Sequence, residues 1–147
     1  MKLILLVDDS RFMRMANEKA LAKAGYSVFT ARDGEEALAI ARARIPDLVI
    51  LDMLLPKLGG LEVLKALKTG VLTAAIPVIV MSSLPQINEA KLIKAGATAY
   101  IEKSTMELNQ HPNSLLNIVK TALDGVPMRK IEPSPTERIS GSEILAT

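Results

Sequence analysis

The sequence predicts an α/β fold, a parallel sheet with helices on both faces. Two observations carry that reading. Five short apolar runs recur along the chain, and the segments between them have helical period. Such alternation is the signature of βαβ units.

The first run, Leu3 to Val7, is continuous and branched or aliphatic throughout, as a strand buried on both faces should be. Phe12, Met15, Ala16, Lys19, Ala20 and Lys23 then step through a first helix, which Gly25 ends. A second strand covers Ser27 to Thr30. Asp33 caps a second helix, with Ala37, Leu38, Ile40 and Ala41 facing inward until Pro46 closes it. Leu48 to Leu51 forms the third strand, and Gly60 precedes a third helix marked by Leu61, Leu64 and Leu67. Val78 to Met81 is the fourth strand. Pro85 opens a fourth helix, in which Ile87, Ala90, Ile93 and Lys94 lead to Gly96. The fifth strand spans Thr98 to Ile101, and a last helix from Asn113 to Asp124 carries Leu115, Leu116, Ile118, Val119 and Leu123. Residues 125–147 lose all period and gather Pro, Ser and Gly, so they are expected to form a flexible tail, with a weak helical tendency near Ser142–Leu145.

Composition narrows the function. The 147 residues suit one domain, here 1–124, with no room for an output domain in the remainder. Eighteen basic against 16 acidic side chains leave a net charge of +2, and charge gives no reason to propose direct nucleic-acid binding. Cysteine is absent and His111 is the single histidine, which removes thiol chemistry and most imidazole-based schemes. No apolar run is long enough for a signal core or a membrane span, so the expectation is a cytoplasmic chain.

The chemistry lies at the strand ends, where open α/β sheets gather their ligands. Strand 1 ends in Asp8-Asp9, strand 3 in Asp52, strand 4 in Ser82-Ser83, and Lys103 follows strand 5. Three carboxylates converging from neighbouring strands repel one another unless a cation joins them, and an all-oxygen set suits Mg²⁺. An Asp can attack phosphorus to give an aspartyl phosphate. Lys103 can serve as a point charge and Ser82 as a hydroxyl donor to the phosphoryl oxygens. Each residue alone has a plainer reading: Asp8-Asp9 as a helix cap, Ser82 as a strand-end hydroxyl, Lys103 as a solvated charge, Tyr100 as strand packing, and Met13, Met15 and Met53 as core. The set as a whole favours the chemical reading.

Asp8-Asp9, Asp52 followed by Pro56 and Gly60, Ser82-Ser83, and Gly96-Ala97-x-Ala99-Tyr100-x-x-Lys103 together resemble the receiver domain of bacterial two-component response regulators. Val7-Asp8-Asp9-Ser10-Arg11 is most similar to the single-domain, chemotaxis-type members. The resemblance implies a flavodoxin-like (βα)5 fold with strand order 2-1-3-4-5. It implies that Asp52 is the phosphoacceptor, fed by a phosphohistidine on a sensor histidine kinase or phosphotransfer protein. Asp8, Asp9, Asp52 and the Met53 backbone carbonyl would hold Mg²⁺. Lys103 would pair with the phosphoryl group, Ser82 would swing toward it, and Tyr100 would report that swing on the surface of helix 4, strand 5 and helix 5. A downstream protein partner, and a monomer or weak phosphorylation-dependent dimer, follow from the same resemblance.

Two features depart from the family. Ser104 stands where Pro usually follows the strand-5 lysine through a cis bond; the need to aim Lys103 inward favours a cis Lys103–Ser104 bond even so. Ser104-x-x-Glu107 also matches a capping box in a lengthened connection. Leu54 and Leu84 occupy the positions that tune loss of the phosphoryl group, and two bulky apolar side chains there predict a long-lived phosphoaspartate. Three rival readings fit the residues less well. A haloacid-dehalogenase-like phosphatase needs a D-x-D pattern, and a flavodoxin-like cofactor carrier needs a phosphate-binding loop after strand 1. The third is a receiver acting without phosphorylation, which the full acidic set disfavours.

Overall fold

The computed structural model describes residues 1–82, 89–102 and 112–125; the expected fourth-helix start at Pro85, Leu84, the Lys103–Ser104 bond, the Ser104 capping box and the tail lie outside them. The elements run β1 (Leu3–Val7), α1 (Arg11–Lys23), β2 (Ser27–Ala31), α2 (Gly34–Arg44), β3 (Leu48–Asp52), α3 (Gly60–Thr69), β4 (Val78–Ser82), α4 (Glu89–Lys94), β5 (Ala99–Glu102) and α5 (Pro112–Leu123). The strands pair in parallel in the order β2-β1-β3-β4-β5, the flavodoxin-like arrangement.

Alternation along each strand builds two cores, because successive side chains leave opposite faces of a sheet. Leu5, Val7, Val49, Leu51, Val78, Val80 and Tyr100 face one layer and meet Ala37, Leu38 and Ala41 of α2, Val63, Leu64 and Leu67 of α3, and Leu92 of α4. Ile4, Leu6, Leu48, Ile50, Ile79, Met81 and Ile101 face the other and meet Leu21 of α1 and Leu115, Ile118, Val119 and Ala122 of α5. Fully burying each aliphatic side chain contributes about 1.5–3 kcal/mol, so the three inner strands anchor the molecule. Edge strand β2 is only partly buried over most of its length.

Local signals in the sequence explain the helix ends. Gly25 (φ 103°) and Gly96 (φ 114°) take left-handed backbone. Each closes a double hydrogen bond: Gly25 N to Ala22 O with Tyr26 N to Leu21 O, and Gly96 N to Ile93 O with Ala97 N to Leu92 O. Ser10 Oγ accepts from Met13 N at 3.3 Å, and Asp33 Oδ1 from Glu36 N at 2.9 Å. Helix α2 ends differently from expectation, on Ile45 in left-handed conformation (φ 47°), one residue before Pro46.

Three expectations are corrected. Phe12 and Met15 do not pack inward; they are 72% and 56% exposed, because the buried stripe of α1 runs through Leu21 with Met13, Asn17 and Ala20 partly covered beside it. In α4 the buried residue is Leu92, while Ala90 and Lys94 are exposed. Asp52 and Ser82 are the last residues of their strands rather than the residues just past them.

Two side chains hold the α3–β4 connection. Thr73, buried, donates its hydroxyl to Leu67 O at 2.6 Å, and Lys68 Nζ donates to Ala74 O at 3.2 Å and Ile76 O at 2.6 Å. Burial lowers the pKa of Lys68. Lys68→Met keeps the stem and removes both bonds, so a destabilisation of about 1 kcal/mol is expected from the urea midpoint. Among the described residues no helix is long and apolar enough to cross a membrane.

Candidate functional site

Register brings the strand-end residues together. Val7 pairs with Leu51 and Ala31, Asp52 with Met81, and Ser82 with Glu102, so Asp8, Asp52 and Ser82 reach the same carboxyl edge. Two further backbone bonds extend the ladder into the loops: Asp8 N to Ala31 O at 3.1 Å and Met53 N to Met81 O at 2.9 Å. Asp8, Asp52 and Ser82 are buried, and Asp9 is exposed.

The two buried acids are each held by their own neighbourhood. Asp8 Oδ1 accepts from Ser10 N at 2.9 Å, and Arg14 Nη1 donates to the Asp8 carbonyl at 2.9 Å, fixing the β1–α1 turn. Asp52 Oδ1 accepts from Leu54 N at 3.2 Å. One oxygen from each of Asp8, Asp9 and Asp52 lies within 4.8 Å of the others. Opposite ligands of an octahedral Mg²⁺ stand about 4.2 Å apart. Adjacent ligands stand about 3.0 Å apart, so the cluster fits that ion with one carboxylate acting through water. Hard, anionic oxygens are also the donor set Mg²⁺ prefers.

The loop after Asp52 closes on itself. Gly60 N donates to Met53 O at 3.1 Å, which leaves that carbonyl a second lone pair. A Cβ on Gly60 would stand 2.6 Å from Met53 Cα and 2.7 Å from the Asp52 carbonyl oxygen, so only glycine allows this approach. Leu54, half exposed, follows at the rim; Tyr100 is buried in the layer that holds α2, α3 and α4. Ser83, Leu84 and Lys103 lie outside the described residues.

Sequence reasoning missed Arg14, Gly34 and Lys57. Arg14 sits six residues past Asp8, in the first turn of α1, from which its guanidinium reaches back to the Asp8 carbonyl. Gly34 and Lys57 join the loop after Asp52 to the start of α2. Lys57 Nζ lies 3.5 Å from Asp33 Oδ2. The Glu36 amide, and then the Lys57 ammonium, hold the Asp33 carboxyl below its ordinary pKa against partial desolvation.

The fold and the acidic edge define a flavodoxin-like protein with three carboxylates gathered where its central strands end. Comparison with known proteins narrows that class. The profile of the response regulator receiver domain matches residues 4–116, and the chain belongs to that family. It is 35% identical over 134 residues to the alkaline phosphatase synthesis transcriptional regulatory protein PhoP of Bacillus subtilis, covering 89% of this chain and 55% of that protein. It is 43% identical over 105 residues to the gliding motility regulatory protein of Myxococcus xanthus, covering 70% of this chain and 13% of that protein. The chain thus spans about half, or less, of these curated relatives. Among solved structures, Vibrio cholerae chemotaxis protein CheY4 aligns with a TM-score of 0.73 at 31% identity, over 82% of this chain and 97% of that one. A CheY-like receiver protein from Methanospirillum hungatei aligns with a TM-score of 0.76 at 28% identity, over 85% and 95%. Receiver domains are phosphorylated by histidine kinases, bind Mg²⁺ at an acidic pocket and act on downstream effectors. They are in general signalling modules rather than enzymes.

Proposed function

We propose that this chain is a stand-alone cytoplasmic response regulator that takes a phosphoryl group onto Asp52 and signals through another protein. The observation that supports it best is the convergence of Asp8, Asp9 and Asp52 within 4.8 Å at the carboxyl edge of the sheet. A carboxylate oxygen of Asp52 attacks the phosphorus of a phosphohistidine on a sensor kinase or phosphotransfer protein. The P–N bond breaks and its electron pair leaves with the imidazole, which takes up a proton. Asp8, Asp9, Asp52 and the Met53 carbonyl hold Mg²⁺, which supplies positive charge to the phosphoryl oxygens. Lys103 adds a second positive charge and Ser82 a hydroxyl donor.

Output passes through the surface of α4, β5 and α5, with Tyr100 as the aromatic that follows Ser82. Phosphorylation shifts a two-state equilibrium that the partner reads. Residues 125–147 act as a tail rather than an effector, and the chain works as a monomer or a weak phosphorylation-dependent dimer. Incubation with Mg²⁺ and acetyl phosphate tests the reading: one hydroxylamine-labile phosphoryl group per chain is expected by intact mass, and none would sink it.

Leu54 and Leu84 keep water from the phosphoaspartate, giving it a long life. The half-exposed Leu54 is placed to do so from the rim. Leu54→Asn should therefore release phosphate severalfold faster, measured as loss of the phosphoryl mass with Mg²⁺ present. Loss from the parent chain as rapid as in the fastest chemotaxis regulators would refute the assignment.

A further inference from the structure

Between Asp52 and α3 the chain must turn sharply, and it does so through Lys57 in left-handed backbone (φ 66°). A lysine in that region is strained where glycine or asparagine would not be. Something must hold it there. Its ammonium lies 3.5 Å from Asp33 Oδ2, while the other oxygen of the same carboxylate caps α2 through Glu36 N. The side chains of Lys57 and Asp33 are 61% and 14% exposed, so the ion pair is half sheltered. Beside it, the loop backbone presses on α2. A Cβ on Gly34 would stand 2.5 Å from the Leu58 carbonyl oxygen and 2.7 Å from Val63 Cγ2. Leu58 N in turn donates to Pro56 O at 2.7 Å, and Gly60 N closes on Met53 O at 3.1 Å.

We infer that Asp33, Lys57 and Gly34 form a clasp that positions the loop 53–60, and through it the Met53 carbonyl, for the cation. Asp33 and Lys57 are positioning residues for Mg²⁺ binding, and the inference rests on the site proposed above. The start of α2 holds the far side of the loop, and Gly60 ties the near side to Met53. A loop held at both ends presents its carbonyl without having to be ordered by the ion, and preorganisation of this kind raises affinity.

The clasp and the bare electric field of these two charges predict opposite signs for one variant. Lys57 is positive and lies in the loop that follows Asp52, so as a mere charge it repels Mg²⁺, and removing it would tighten binding. As part of the clasp, its removal loosens binding.

The experiment is calorimetric titration of the whole chain with MgCl₂, beside urea unfolding in the absence of Mg²⁺. Lys57→Gly should unfold at the parental urea concentration or higher, since glycine relieves the positive φ, yet bind Mg²⁺ roughly threefold to fivefold more weakly, the size an ion pair of this kind can carry. Lys57→Asn, which also tolerates the left-handed backbone, should weaken binding alike. Lys57→Arg should restore parental affinity, and Asp33→Asn, which keeps a capping oxygen, should weaken it. The deficit of Lys57→Gly should shrink at high salt, as a screened ion pair requires. Parental or tighter binding by Lys57→Gly and Lys57→Asn would overturn the clasp while leaving the Mg²⁺ site standing. A parent chain that binds no Mg²⁺ would remove both.

Discussion

Asp52→Ala is expected to take up no phosphoryl group from acetyl phosphate, while the parent takes up one. Asp52 is the carboxylate that β3 delivers, buried, to the edge where β1 and β4 also end. Its oxygen Oδ1 is oriented by Leu54 N, so the nucleophile is held rather than mobile. Asp8 is buried too, but it is tied to Ser10 N and belongs to the turn that starts α1. Asp52→Asn extends the test, because it keeps the shape and the acceptor for Leu54 N. Removing one of three clustered negative charges should raise its resistance to urea without Mg²⁺. The parent gains about 2.7 kcal/mol at free Mg²⁺ a hundredfold above its Kd, and Asp52→Asn should gain far less. Phosphoryl uptake undiminished in Asp52→Ala would move the acceptor role to another acid.

Gly60→Ala is expected to lose about 2–3 kcal/mol of stability and, with it, at least tenfold in Mg²⁺ affinity. The new methyl would meet Met53 Cα, the Asp52 carbonyl oxygen and the Met53 carbonyl oxygen at 2.6–3.0 Å. All three are backbone atoms, so no rotamer change can relieve the contact. The loop must shift, and the atom it displaces is the proposed fourth protein ligand. Urea unfolding reads the first effect and MgCl₂ titration the second. A stable Gly60→Ala chain with parental Mg²⁺ affinity would show that the Met53 carbonyl is not engaged.

Much of the fold was legible because its signals are local and strong. Continuous apolar runs marked β1, β3 and β4, and Gly25 and Gly96 marked helix ends where only a left-handed residue permits the double hydrogen bond. Asp8, Asp9, Asp52 and Ser82 were legible as a group, since a parallel sheet forces its strand ends to one edge. Other features had no local signal. Met15 reads as core because α1 has apolar residues on more than one face, and only its seat against the sheet chooses the stripe through Leu21. Lys57 carries a positive φ without being glycine, and its partner Asp33 belongs to a different βα unit. Thr73 caps the end of α3 from a turn whose sequence, Val71 to Ile76, is mostly apolar and resembles a buried run, and Lys68 of α3 reaches out to that turn's carbonyls. Partners outside the element's own period decide all three, and periodicity cannot see them.

The position of β3 has a kinetic meaning as well. Leu48 pairs with Ile4 and Val49 with Val78, so β3 finds no partner in its nearest sequence neighbour, β2. The strand bearing Asp52 forms only after two large loops have closed, each opposed by chain entropy. A nascent or half-unfolded chain that lacks β4 leaves β3 as an open edge. The acidic edge that carries Asp8 and Asp52 is thereby complete only when β1, β3 and β4 are all in place.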